Sequence, residues 1–357
     1  MEKVIIGMSG GVDSSVAAAV LLEQGYEVIG VTLRLRDGVE SDVAVQDAER
    51  VANHLKIPFH TLDFCKSFSR YVVDYFTQEY VSGRTPNPCI ACNRYIKFDA
   101  MLEAADQLGA DKIATGHYAR VVYDKNSGRY LLKRSAASVK DQTYALYALG
   151  QEQLSRVLMP LGEFTDKAAV RQKAKELCLP VAEKPESMEI CFVPDGDYAG
   201  FIEQRTGNVS PRGKFVDAEG NVLGEHRGIV HYTIGQRKGL GIAFGKPMFV
   251  IDIDAKTNQV MLGEKGSEFT DVLLASQPNF ISFAQLKDAM RVEAKVRYTA
   301  VPALAMIEKE GENLLVRFDT PQRAVTPGQA VVFYEPGGDT VIGGAVIEKS
   351  WTEKNRG

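Results

Sequence analysis

The chain has 357 residues, 45% of them hydrophobic and 25% charged, which fits a globular protein with two or three cores and not one. A formal net charge of −4 excludes a uniformly basic coat for nucleic acid and leaves only a local basic face as a route to RNA or DNA. No apolar run approaches the roughly 18 residues of a membrane helix and the N-terminus enters a strand at once, so a cytoplasmic protein without a membrane partner is expected.

The first predicted element is a short buried strand, Val4 to Gly7. The turn Ser9-Gly10-Gly11-Val12-Asp13-Ser14-Ser15 follows, then a helix from Val16 to Glu23 that closes at Gly25. A strand feeding a glycine-containing turn that opens a helix leaves the first helical N–H groups unpaired, with the positive end of the helix dipole behind them. That is an anion site. Gly10 and Gly11 let the backbone approach a ligand, Ser9, Ser14 and Ser15 add hydroxyls, and Asp13 is a carboxylate suited to Mg2+. The turn lacks the lysine of a Walker loop and the spacing of G-x-G-x-x-G. It resembles the S-G-G-x-D-S-S loop of the N-type ATP pyrophosphatases, which grip the β and γ phosphates of ATP and release pyrophosphate. The resemblance implies an ATP site along Gly7, Met8, Ser9, Gly10, Gly11, Val12, Asp13 and Ser14; the bland alternative is a serine- and glycine-rich helix cap.

Further on, Glu27 to Leu33, Phe59 to Phe64 and Lys112 to Thr115 read as strands. Residues 43–55, Tyr71 to Tyr80 and residues 99–108, stopped by Gly109, read as helices. Alternation of this kind predicts an α/β, doubly wound parallel sheet with its ligand beyond the carboxyl ends of the strands. Leu33 and Gly116 are thereby placed to meet an adenine through their backbones. Arg120 to Arg134 reads as a hairpin turned at Lys125 to Gly128, and Thr165 as the cap of a helix running to Leu177. Past about residue 205 helical periods vanish and glycines become frequent. From about Phe280, short alternating strands with turns between them predict a small antiparallel β-barrel. The expected domains are 1–204 (the nucleotide-binding α/β domain), 205–275 (a small, mostly β middle domain) and 276–350 (the barrel).

Five cysteines, an odd number and widely spread, argue against disulfide staples and for metal ligation or catalysis. Thr85-Pro86-Asn87-Pro88-Cys89-Ile90-Ala91-Cys92-Asn93 reads as an irregular loop fixed by two prolines, and Ser187-Met188-Glu189-Ile190-Cys191-Phe192 carries a third cysteine. Together with Gly116 to Arg120 (G-H-Y-A-R), Lys140 to Tyr144 (K-D-Q-T-Y), Thr326 to Ala330 (T-P-G-Q-A) and a partial match at His231 to Gly241, these motifs stand in the order found in the tRNA-specific 2-thiouridylases. The resemblance covers nearly the whole chain. It implies an adenine nucleotide alpha hydrolase-like catalytic domain that adenylates uracil O2 of a wobble uridine, in tRNAs for lysine, glutamate and glutamine, and then replaces that oxygen with sulfur.

Within the resemblance, Cys191 receives sulfur as a persulfide from a cysteine desulfurase or a sulfur-relay protein. Cys92 helps release it, leaving a transient disulfide between the two. Cys92 also precedes a helical stretch, where a thiolate is favoured over its free pKa of about 8.5. Asn87, Pro88 and Cys89 would border the extruded uridine, and His117, Lys140, Asp141, Gln142, Arg297, Tyr298 and Gln329 match positions that touch tRNA. Many family members carry an aspartate where this chain has Cys89. A second route therefore stays open, in which Cys89, Cys92 and Cys191 ligate a [4Fe-4S] cluster that carries sulfide. Cys65 and Cys178 read as small core hydrophobes. Pro211 to Lys214, His226-Arg227 and Gln236 to Lys238 are further candidates for phosphate contact. Two competing readings are another pyrophosphate-loop enzyme with a different acceptor and a non-catalytic tRNA-binding protein.

Overall fold

The computed structural model describes residues 1–185 and 190–353, so Ser187, Met188 and Glu189 of the third cysteine motif lie outside the described residues. β1 (Lys3–Gly7), α1 (Val12–Glu23), β2 (Glu27–Arg34), α2 (Val39–Leu55) and β3 (Phe59–Asp63) alternate as the apolar pattern predicts. Two interrupted helices follow. α3 (Cys65–Phe68) and α4 (Tyr75–Val81) are joined by a π-helical turn over Ser69–Asp74, and α5 (Pro88–Cys92) and α6 (Phe98–Leu108) by another over Asn93–Lys97. β4 (Lys112–Ala114), the β5 (Ala119–Asp124) and β6 (Arg129–Arg134) hairpin, α7 (Gln151–Arg156), β7 (Val157–Leu158), α8 (Lys167–Glu176) and α9 (Tyr198–Thr206) complete this half.

Five strands form one parallel sheet in the order β3-β2-β1-β4-β7. Val4, Ile5 and Ile6 of β1 are fully buried at its centre, each contributing about 1.5–3 kcal/mol of apolar transfer. Because β2 and β4 flank β1 on opposite sides, the chain direction of the crossovers reverses there. A crevice opens at the carboxyl ends of β1 and β4.

Three local expectations change. α1 begins at Val12 and not Val16, since Gly11 already holds extended backbone (φ −105°, ψ 166°) and ends the loop. Asp166, not Thr165, caps α8: its carboxylate accepts from the Ala169 N–H at 2.8 Å. The cysteine segment is helical from Pro88 onward, because a proline at the first helical position forfeits only an N–H that would have no partner there. The Asn87 side chain accepts from the next free donors, the N–H groups of Cys89 (3.1 Å) and Ile90 (3.4 Å).

The middle region is a four-stranded sheet, β8 (Gly213–Val216), β9 (Val222–His226), β10 (Met248–Asp254) and β11 (Gln259–Glu264), in the order β10-β11-β8-β9. The last part is a closed antiparallel barrel of β12 (Phe269–Phe280), β13 (Met290–Lys295), β14 (Ala303–Glu310), β15 (Asn313–Arg323), β16 (Ala330–Tyr334) and β17 (Val341–Trp351). Its first strand begins at Phe269 and so runs through the expected boundary at 276. Leu273, Val292, Ile307, Val316 and Phe333 fill the barrel, whereas Ile281, Val332 and Tyr334 join the core on one face of the parallel sheet. Among the described residues no helix is long and apolar enough to cross a membrane.

The barrel is fastened to the sheet domain by polar contacts as well. The fully buried Tyr144 hydroxyl donates to the Ala330 carbonyl at 2.8 Å. Tyr144→Phe leaves that buried carbonyl without this donor and is expected to lower unfolding free energy by about 1–3 kcal/mol, measured by urea denaturation; an unchanged midpoint would show that the bond is dispensable.

Candidate nucleotide and thiol site

No side chain caps α1, so the N–H groups of its first turn point into the crevice without a helical partner. The residue at the cap position is Gly11, which has no side chain, and the loop hydroxyls are used elsewhere. Ser15 donates to the Gly11 carbonyl at 2.8 Å and Ser14 to the same oxygen at 3.2 Å, while Ser14 Oγ accepts from the Ser9 N–H at 3.1 Å. Ser15 is fully buried and spends its hydroxyl on the helix, so it offers nothing to a ligand, contrary to the sequence expectation. Gly10 takes φ +67° and passes so close to α2 that a Cβ would lie 2.4 Å from the Ala44 carbonyl oxygen. Gly116 is equally constrained, since a Cβ there would stand 2.8 Å from the Ser14 nitrogen.

The crevice is a pocket of about 400 Å³ lined by Gly7, Met8, Ser9, Asp13 and Ser14 from the loop and by Leu33 and Gly116 from the strand ends. Gly10, Gly11 and Val12 stand behind this lining and shape the turn. Cys191, His117 and Gln142 border the same pocket. His117 and Gln142 thus sit in the same pocket as the loop. Gln142 receives the Tyr118 N–H on its side-chain oxygen (2.9 Å), and Tyr118 in turn donates its hydroxyl to Asp13 at 2.7 Å.

Four cations at this site escaped the sequence reading. Lys167 Nζ lies 2.6 Å from Asp13 Oδ1. Lys184 Nζ bridges the Gly10 carbonyl (2.9 Å) and Asp47 of α2 (2.5 Å), bracing the loop from behind. Burial pushes the Asp47 carboxyl up, but hydrogen bonds from Lys184 and Arg50 hold it below the usual carboxylate range. Arg36 and Lys97 line the pocket beside Cys191. The one available signal was Lys167 itself: a lysine in the first turn of a helix opposes the dipole, so another group must compensate it.

All five cysteines are free thiols. Cys89, Cys92, Cys191 and Lys97 lie within electrostatic reach of one another. Cys92 ends α5, but its helix continues into the next turn and the side chain is buried. The expected thiolate at a helix start is therefore absent: burial pushes the Cys92 thiol up to about 11 against the pull of Lys97. Cys191 reaches solvent at the pocket yet is crowded by protein, and this burial raises its pKa despite Arg36 and Lys97. Burial and then Lys97 press His117 down to about 3, so it stays neutral, its Nδ1 2.8 Å from Thr115 Oγ1.

The remaining expected RNA contacts divide. Tyr298 is exposed and lies within electrostatic reach of Lys140, Asp141 and Cys89, with Lys295 5.5 Å from its ring. Asp141 accepts from the Ser135 N–H (3.0 Å) and Thr143 hydroxyl (2.6 Å), which fixes the turn that carries Lys140. Arg297 and Gln329 make internal ties. Arg297 Nη2 donates to the Ile234 carbonyl (3.0 Å) and Thr326 hydroxyl (2.6 Å), joining middle region to barrel. Gln329 Nε2 donates to the Thr85 carbonyl at 2.8 Å, and the Thr85 N–H donates to the Pro327 carbonyl at 2.9 Å, so the segment leading into α5 is stitched to the barrel. Pro88 is buried under the same turn.

Three domain families match in succession: the tRNA methyl transferase HUP domain over residues 2–195, the tRNA methyl transferase PRC-barrel domain over 199–264, and the aminomethyltransferase beta-barrel domain over 270–347. The tRNA-specific 2-thiouridylase MnmA of Acetivibrio thermocellus is 56% identical over 97% of this chain and 99% of its own length. The proteins of that name from Carboxydothermus hydrogenoformans (54%, covering 98% of each chain) and Clostridioides difficile (53%, covering 98% of this chain and 99% of its own) are similarly close.

Two measurements probe the electrostatics. Iodoacetamide labelling near pH 8 is expected to modify exposed Cys89 well before Cys92, with the Cys92 rate still rising toward pH 11; a Cys92 rate already flat at pH 8 would contradict the burial argument. His117 is neutral when folded but takes a proton on unfolding below about 6.5, so its share of stability is full above that pH and is lost as pH falls toward 3. His117→Asn should reduce the slope of unfolding free energy in that window without abolishing it, because burial also lowers His226 and His231.

Proposed function

The chain belongs to the tRNA-specific 2-thiouridylases, enzymes of ATP-dependent tRNA thiolation, and from that premise we propose the route it follows: ATP held at α1 adenylates O2 of a wobble uridine, and sulfur carried on Cys191 replaces that oxygen. The substrates would be the family's tRNAs for lysine, glutamate and glutamine. One observation carries the reading. Ser9, Asp13 and Ser14 of the loop and the Cys191 side chain line the same pocket, so activation and sulfur delivery share one space.

Uracil O2 is a poor leaving group, and transfer of AMP onto it makes it a good one. The open N–H groups of α1 and the Lys167 ammonium are the donors that would hold the departing pyrophosphate. Asp13 would hold Mg2+, which neutralises phosphate charge when bound. The terminal sulfur of a Cys191 persulfide then attacks C2, the C2–O2 bond breaks, and AMP leaves with the oxygen. Cys92 next attacks Cys191 Sγ and the sulfur–sulfur bond breaks. The sulfur stays on the base, and a Cys92–Cys191 disulfide remains for an external thiol to reduce. A cysteine desulfurase or sulfur-relay protein would load Cys191, whose side chain is exposed. Tyr298, within electrostatic reach of Cys89 and Lys140, and Lys140 itself are the side chains we place against RNA.

A [4Fe-4S] cluster is the second route: Cys89, Cys92 and Cys191, within electrostatic reach of one another, are the residues that would hold it and its sulfide, although among the described residues no group of three or more His, Cys, Asp or Glu side chains stands at metal-binding spacing. The two thiols Cys92 and Cys191 suffice for the route above.

In a reaction of unmodified tRNA, ATP, Mg2+ and a persulfide donor, Cys92→Ala and Cys191→Ala are each expected to abolish 2-thiouridine, read by nucleoside mass spectrometry, while tRNA-dependent pyrophosphate release continues. Cys89→Asp is expected to stay active and free of iron. Thiouridine formed without pyrophosphate, or a Cys89→Asp protein that loses both iron and activity relative to the parent, would sink this route.

A further inference from the structure

A second recess, of about 600 Å³, opens between α4, the α5–α6 helix and the barrel, and no step of the thiolation route uses it. Asn87, Ile90, Ala91, Arg94 and Tyr95 line it at three- and four-residue spacing, and thus share one face of the cysteine helix, while Cys89 and Cys92 fall off that face. Across the recess stand Arg70 and Tyr71.

Tyr71 and Tyr95 stack with centroids 5.9 Å apart and planes 28° from parallel, and each is 44% exposed. The Arg70 guanidinium lies 5.4 Å from the Tyr71 ring and that of Arg94 5.1 Å from the Tyr95 ring. The acids of the recess are already committed: Asp74 pairs with Arg205 at 2.7 Å, and Glu79 with Arg84 at 2.8 Å. Among the described residues neither Arg70 nor Arg94 has a carboxylate partner. The result is a solvent-facing pair of aromatic rings flanked by two uncompensated cations. Flat rings that accept any base by stacking, next to cations spaced for a backbone, suit single-stranded nucleic acid.

We propose that this recess binds an unpaired stretch of the RNA substrate flanking the modified uridine, with bases stacked on Tyr71 and Tyr95 and phosphates paired to Arg70 and Arg94. The proposal rests on the thiolation reading for its RNA. It adds Arg70, Tyr71, Arg94 and Tyr95, which lie outside the positions that the family motifs mark, to a recess that shares Asn87, Gly328 and Ala330 with them.

The test is unmodified tRNA binding by wild type and variants at several salt concentrations. Tyr71→Ala and Tyr95→Ala should each weaken binding about 5- to 160-fold, the range of one lost stacking contact. The double variant Arg70→Gln, Arg94→Gln should flatten the slope of log affinity against log salt by about 1.4, for two single-strand phosphates. ATP affinity, and pyrophosphate release at saturating tRNA, should match wild type in all of them. Tyr71→Phe and Tyr95→Phe keep the rings and should bind as wild type. Ultraviolet crosslinking of wild-type protein to a bromouridine-substituted anticodon stem-loop needs no variant and should label the 70–95 segment. Unchanged affinity and salt slope, or crosslinks confined elsewhere, overturn the proposal. So does a loss seen only in sulfur transfer from a protein donor, which would assign the recess to that donor. Failure of the thiolation reading is separate, since wild type itself would then release no pyrophosphate with tRNA.

Discussion

The open amino end of α1 is the constraint on which the site depends. An uncapped helix start in a protein interior costs stability unless something occupies it. Here Ser14 and Ser15 turn their hydroxyls back onto Gly11, Gly10 bends away against α2, and Gly116 leaves no Cβ to fill the gap. Lys184 and Lys167 then grip the loop from outside through the Gly10 carbonyl and the Asp13 carboxylate. The loop is thereby braced with its helix N–H groups open before any ligand arrives, which is how preorganised donors stabilise charge that develops during reaction.

The thiols obey the opposite logic. Cys92 is packed into the apolar cluster that holds Phe68, Phe76 and Phe192, where its neutral form is favoured. A resting thiol of that kind does not compete for the activated base. In the proposed route it acts as a nucleophile only at the last step, against Cys191 Sγ. Cys191 is more open and is flanked by Arg36 and Lys97, which suits the donor exchange proposed for it.

Much of the fold was legible because its signals are local. The run Val4 to Gly7, the glycine-containing turn and the alternating apolar segments determine the parallel sheet, and the alternation past Phe280 determines the barrel. What was illegible has a physical cause in each case. β7 has two residues and carries no period. Two prolines around Asn87 suggested a loop, but one of them opens a helix. Lys167 and Lys184 meet Asp13 and Asp47 across 154 and 137 positions of chain, a closeness that only folding creates. The internal hydrogen bonds of Arg297 and Gln329, both read as positions that touch RNA, to the protein's own backbone and hydroxyls were equally out of sight.

The stitching of residues 84–86 onto the barrel has a mechanical corollary. Arg84 clasps Glu348 at 2.7 Å while Thr85 exchanges hydrogen bonds with Pro327 and Gln329 on the far side of the seam. The helix bearing Cys89 and Cys92 is thereby anchored at its entry to the barrel, so a shift of the barrel against the sheet domain must either break these contacts or carry that helix with it.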